Sequence, residues 1–201
     1  MGHISRHSIR TWSNLHNLEA FVETGTYLGA SLAYARQCKY FNEFHSIEIN
    51  DTFYEECSHM FSRDDRVKIW HGASDEMFPK VLSEPSLQDK NILFWLDAHL
   101  PHVYDEWKGK DIRKEVDTVV EKIAPLQKEL EIIRKLRPRN SDIIIIDDLR
   151  LYAKDNYQNE NCGTRVTENI DWVVDLMGDK FGCLKSLEDE GYLVIVPHTD
   201  D

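Results

Sequence analysis

Residues 21–31, Phe21-Val22-Glu23-Thr24-Gly25-Thr26-Tyr27-Leu28-Gly29-Ala30-Ser31, leave the backbone few choices. A short apolar run ends in an acid, passes through a glycine turn and opens into the helical pattern Ser31-Leu32-Ala33-Tyr34-Ala35-Arg36. Strand, tight turn and helix N-terminus in that order form the part of an α/β fold where backbone N–H groups and a small-residue surface receive a ligand. The rest of the chain reads as further strand–helix units laid beside this one.

A helix is expected after the turn, to about Lys39. The second strand, Phe44–Ile49, carries Glu48 near its end, and a carboxylate there can accept hydrogen bonds from two adjacent ribose hydroxyls. After a helix near Thr52–Phe61, a third strand, Val67–Trp70, is closed by His71-Gly72-Ala73-Ser74-Asp75. These small residues leave room for a flat base. Ser74 or Asp75 would meet its polar edge while also capping the helix that starts there, a capping role that needs no ligand. The apolar runs 91–97 and 142–147 suit central strands covered on both faces, and they end in Asp97-Ala98-His99 and Asp147-Asp148. Apolar spacing over 117–136 predicts a helix divided near Pro125, and another helix is expected near Thr167–Met177. Phe181–Leu187 and Tyr192–Val196, joined by a tight turn, form an antiparallel hairpin. The expected architecture is one α/β domain over 1–201, Rossmann-like. It has a mostly parallel seven-stranded sheet, helices on both faces and a C-terminal antiparallel hairpin. Residues 1–18 form a helical lead-in, and 100–116 and 151–165 are loops over the carboxyl rim.

Length supports one domain with a sizeable core rather than two domains. The formal charge of −12 argues against nucleic acid as a partner. No apolar run is long enough to span a membrane, and the N-terminal residues lack the apolar core of a signal peptide. The widely spaced Cys38, Cys57, Cys162 and Cys183 suggest neither zinc nor a disulfide framework, but buried thiols in a reducing, cytoplasmic setting. His3, His7 and His16 lack partners at ligand spacing and are expected at the surface.

Parallel strand ends share one rim, so Glu23, Glu48, Ser74, Asp97, Asp147 and Asp148 should converge. Five carboxylates in one place call for something positive. The E-T-G-T-x-x-G turn, S-I-E-I, H-G-A-S, F-W-L-D-A-H and I-I-I-I-D-D, in that order, resemble class I S-adenosylmethionine-dependent methyltransferases. The likeness is to the metal-dependent sugar O-methyltransferases of the macrocin and novobiocin type and their glycan-modifying relatives, and it covers about residues 19–150. The resemblance implies S-adenosylmethionine bound by the turn residues Glu23, Thr24, Gly25, Thr26, Tyr27, Gly29 and Ser31. Glu48 would meet its ribose and Ala73 with Ser74 its adenine, with Asp97 nearby. It also implies Mg²⁺, or another divalent cation, held by Asp97, Asp147 and Asp148.

Methyl transfer to a sugar hydroxyl requires that the hydroxyl pKa be lowered and that oxygen, methyl and sulfur be aligned. A metal would do the first, and Asp97, or failing that His99, would take the proton. The expected acceptor is a sugar or glycan hydroxyl, for example of a deoxyhexose such as rhamnose. The alternatives are a catechol-like phenol, a metal phosphoesterase using Asp97, His99, Asp147 and Asp148, and a non-catalytic binding subunit. With little beyond the core fold, the chain is expected to belong to a longer protein or to complete its site with a second subunit.

Overall fold

The computed structural model describes residues 4–99, 125–138, 141–159 and 166–198. The loop expected at 100–116, the first part of the helix expected over 117–136, residues 160–165 with Cys162, and His3 lie outside the described residues.

Seven strands form one sheet: β1 (Leu18–Thr24), β2 (Glu43–Glu48), β3 (Val67–His71), β4 (Asn91–Leu96), β5 (Ile143–Ile146), β6 (Phe181–Ser186) and β7 (Tyr192–Pro197). Their order is β3-β2-β1-β4-β5-β7-β6. The pairs β1–β2, β1–β4, β2–β3 and β4–β5 are parallel, and β7 is antiparallel to both β5 and β6. The strand order reverses between β1 and β4. In open sheets of this kind the crevice outside the carboxyl ends at that reversal is where ligands bind.

Alternation along the strands makes two cores. Ile92, Phe94 and Leu96 of β4 face α4 (Ser74–Leu82), α5 (Leu126–Leu136) and α6 (Asp171–Met177) through Phe78, Val81, Leu130, Ile133 and Val173. Leu93 and Trp95 face the other way, toward Ile9 of α1 (Ile9–His16), Leu32 of α2 (Ala30–Ala35) and Phe61 of α3 (Asp51–Phe61). A strand buried on both faces must be apolar at successive positions, and Ile143-Ile144-Ile145-Ile146 satisfies this for β5. At the amino end of the sheet, buried Arg137 donates to both carboxylate oxygens of Asp142 (2.6 and 3.0 Å) and to the Leu87 and Lys90 carbonyls. Asp142 in turn accepts from the Ile92 N–H at 2.7 Å, which ties the start of β5 to β4.

Three expectations are corrected. His16 is only 7% exposed, and half-buried His7 lies edge-on to the rings of Trp95 and Tyr192. The helical lead-in packs against the sheet because Ile4 and Ile9 enter the core beside them. The helix after the glycine turn ends at Ala35, short of Lys39, and residues after it turn toward β2. Among the described cysteines only Cys57 is buried, and Cys38 and Cys183 are partly exposed. No helix among the described residues is long and apolar enough to cross a membrane.

Candidate functional site

The turn after β1 is held from below by a buried polar set. Glu23 is fully buried and accepts hydrogen bonds from Ser31 Oγ at 2.5 Å and Ser46 Oγ at 2.6 Å. The Thr26 hydroxyl meets the same Ser46 hydroxyl at 2.5 Å. Burial pushes the Glu23 carboxyl up to about 8, against the two serine hydrogen bonds that favour its charged form. Glu23 and Ser31 therefore brace the turn. Gly25 and Gly29 both take positive φ, +83° and +74°. A Cβ on Gly25 would come within 2.6 Å of the Asp97 carbonyl oxygen, so the turn lies directly against the end of β4.

Glu48 at the end of β2 accepts from two backbone amides, Tyr27 N–H and Asn50 N–H, each at 2.7 Å. It thereby locks Tyr27 at φ 47°, a left-handed conformation unusual for a bulky residue. Each carboxylate oxygen keeps a second lone pair for a ligand hydroxyl. Ala73 precedes α4, and Ser74, 6% exposed, opens it. The N-cap position of α4 is Ala73, so Ser74 stands one residue inside the helix rather than at its cap.

The ladder continues one residue past the strands: Asp97 N–H donates to Thr24 O at 3.1 Å and Asp147 N–H to Leu96 O at 3.0 Å. This places Asp97 and Asp147 side by side at the sheet centre. His99 joins two of the acids, with Nδ1 at 3.2 Å from Asp97 Oδ1 and Nε2 at 3.0 Å from Asp148 Oδ2. Burial alone would lower its pKa, but the two carboxylates carry it up to about 10. One ligand atom each from Asp97, His99 and Asp148 lie within 4.8 Å of one another. Asp147 stands just outside this set. Its Oδ1 accepts the Asp148 N–H at 2.7 Å, and its buried Oδ2 has no hydrogen-bond partner among the described residues. Burial and the neighbouring Asp97 and Asp148 charges raise the Asp147 carboxyl well above the usual range. Burial also raises Asp97. Asp148 is held low, because His99 and Arg150 outweigh its burial. The backbone of Asp148 is left-handed, φ 52°.

The rim thus gathers Glu23, Glu48, Asp97, Asp147 and Asp148 as the sequence suggests, and it adds Tyr152 together with Arg150 and Glu129, which the sequence reading missed. Arg150 lies 2.8 Å from Asp148 and supplies positive charge. Tyr152 is buried near the same acids. Glu129 in the first turn of α5 is 1% exposed, and burial pushes its carboxyl up to about 7. Its signal was legible: Leu126, Glu129, Leu130 and Ile133 fall at i, i+3, i+4 and i+7, so an acid sits on the apolar stripe. A surface hollow of about 310 Å³ lined by Phe61, Asp64 and Val67 lies behind α3 and gathers none of these groups.

No protein-family model matches the chain, and no curated protein matches it in sequence. Solved structures do match in shape. A candidate caffeoyl-CoA O-methyltransferase from Staphylococcus aureus superposes with a TM-score of 0.64 at 16% identity, covering 98% of this chain and 85% of that one. The O-methyltransferase TomG from Streptomyces achromogenes, solved with SAM, gives 0.54 at 12% identity, covering 95% and 78%. This is the Rossmann-like methyltransferase fold. In the methyltransferase fold as this chain builds it, the glycine turn, Glu48 and the Asp97–His99–Asp148 group share one rim.

Proposed function

We propose that the chain is an S-adenosylmethionine-dependent O-methyltransferase that uses a divalent cation to bind a sugar or glycan hydroxyl. The observation that carries the reading is the convergence of Asp97, His99 and Asp148 within 4.8 Å, at the strand-order reversal and against the glycine turn. The donor set fits a hard or borderline divalent ion: two carboxylates and one imidazole, with close by the Asp147 Oδ2 that has no hydrogen-bond partner among the described residues. Asp97, His99 and Asp148 would hold the ion, with Asp147 as the fourth donor. When bound, the ion lowers the pKa of a coordinated hydroxyl.

The chain's own residues account for the remaining needs. Glu48 presents free lone pairs to the ribose, while the Glu23–Ser31–Ser46 set keeps the turn in register against Asp97. Asp97, whose carboxyl burial has raised, is the proposed proton acceptor, and His99 orients it. A phenolic acceptor is the second reading, favoured by the shape match to a protein assigned to caffeoyl-CoA. Both acceptor classes offer vicinal oxygens. A phosphoesterase would leave the turn and Glu48 without a role.

Isothermal titration with S-adenosylhomocysteine, followed by methyl-transfer assays on sugar and catechol acceptors with and without EDTA, tests this. Binding without Mg²⁺ and turnover only with it are expected. For Asp148→Asn we expect a turnover loss of roughly 10- to 100-fold with cofactor affinity nearly unchanged. Absence of nucleoside binding under saturating conditions would discard the reading.

A further inference from the structure

Arg150 stands in the short turn Leu149–Leu151, two residues beyond Asp148. Its side chain is 14% exposed, and Nη2 forms an ion pair with Asp148 Oδ1 at 2.8 Å. The other oxygen of that carboxylate, Oδ2, faces His99 Nε2 at 3.0 Å on the side of the ligand group. Asp147 repeats the arrangement: Oδ1 accepts the Asp148 N–H at 2.7 Å, which leaves the buried Oδ2 as its donor atom. Each of these two acids thus has one oxygen engaged within the protein and one left to bind. The arginine is itself anchored. Its backbone N–H donates to Glu190 O at 3.0 Å, and its Nη1 donates to Asn159 O at 3.3 Å and lies 3.7 Å from Glu190 Oε1. Asn159 Nδ2 holds the same Glu190 oxygen at 3.0 Å. The turn between β6 and β7 therefore fixes the guanidinium, and its hold on Asp148 is not the loose pairing common at surfaces.

The number of oxygens that a carboxylate offers bears on which ion it suits. Ca²⁺ takes about six to eight oxygens, often two from one carboxylate, whereas the smaller Mg²⁺ and Mn²⁺ are satisfied by about six single donors. Resting on the metal reading above, we propose that Arg150 sets which divalent cation the site accepts, by keeping Asp148 a one-oxygen ligand and so favouring small six-coordinate ions over Ca²⁺. Ligation by both oxygens of Asp148 requires that the guanidinium be displaced from Oδ1, and a dication approaching that oxygen meets a positive charge already there. Arg150 is thus a positioning residue that acts through Asp148.

The test titrates MnCl₂ and CaCl₂ separately into the full chain as wild type, Arg150→Met and Arg150→Lys, reading the heat of binding, with a thermal melt for each. Wild type is expected to bind Mn²⁺ more tightly than Ca²⁺ by roughly 10- to 100-fold. Both ions gain from the loss of a positive charge, so the ratio of affinities is the readout. In Arg150→Met that ratio is expected to fall by roughly tenfold, as Ca²⁺ takes up the second oxygen of Asp148. Arg150→Lys is expected to lie between the two, because its shorter side chain keeps the charge but cannot serve Asp148 and the hairpin together. A ratio unchanged in Arg150→Met is what a purely structural arginine would give, and it overturns the proposal. If that variant does not fold, an unchanged ratio in Arg150→Lys does so. Equal wild-type affinity for the two ions overturns it while leaving the metal reading intact. Binding of neither ion removes the metal reading and this inference together.

Discussion

At Gly25 the chain has no space for a side chain. Its positive φ already disfavours any L-residue by roughly 1–2 kcal/mol, and a methyl would lie 2.6 Å from the Asp97 carbonyl oxygen. Gly25→Ala is therefore expected to lower Tm by roughly 5–10 °C and to weaken S-adenosylhomocysteine binding, because relief of the clash moves the turn away from β4. An unchanged melt would mean that the turn is not under this constraint. The sequence showed that this glycine mattered, since a strand–turn–helix needs it. It did not show why Glu48 matters twice. The spacing to Glu23 places Glu48 at a strand end, but its two bonds to the Tyr27 and Asn50 amides depend on how two loops fold over one carboxylate. His99 was legible as a candidate near Asp97. Its reach to Asp148 was not, because β4 and β5 become neighbours only in the sheet.

Among the elements, β2 carries a buried relay toward the amino end of the sheet. Trp70 Nε1 donates to His45 Nδ1 at 3.0 Å, which assigns the proton to His45 Nε2, and that nitrogen donates to Glu43 at 2.8 Å. Burial alone would raise the Glu43 carboxyl, but hydrogen bonds from Lys90, Ser86 and His45 hold it down to about 2. A carboxyl depressed on folding contributes stability above its unfolded value near 4.5, and that contribution is lost as pH falls toward 2. Glu43→Gln is expected to lower Tm at neutral pH by roughly 4–8 °C and to flatten the fall between pH 5 and pH 2. Parallel acid profiles for the two proteins would show that Glu43 is not the group responsible. Strand existence and order of appearance were readable from apolar runs and turns. The network was not, since Glu43, His45, Trp70, Ser86 and Lys90 are ordinary residues until β2, β3 and the loop before β4 meet. His7 and His16 were misplaced for a related reason: histidines in a polar stretch carry no periodicity that reveals Ile4 and Ile9 as anchors beside them.

Over the whole molecule, a formal charge of −12 opposes compaction, most of all where five carboxylates meet. Raising NaCl from about 20 to about 200 mM is expected to raise Tm by screening that repulsion, and a fall in Tm would show that local ion pairs such as Arg150–Asp148 outweigh it. The strand order has its own effect on how the chain is made. β7, made after both of its neighbours, fits between β5 and β6 rather than at a margin. Until Tyr192–Pro197 emerges, Ile143–Ile146 shows an open flank and β6 has no neighbour to hold it. Four consecutive isoleucines with an unfilled side are a sticky template for another nascent chain. The interval before β7 emerges is therefore a hazardous one in building this sheet, and a stall there would leave the isoleucine strand as an exposed edge with β6 detached beyond it.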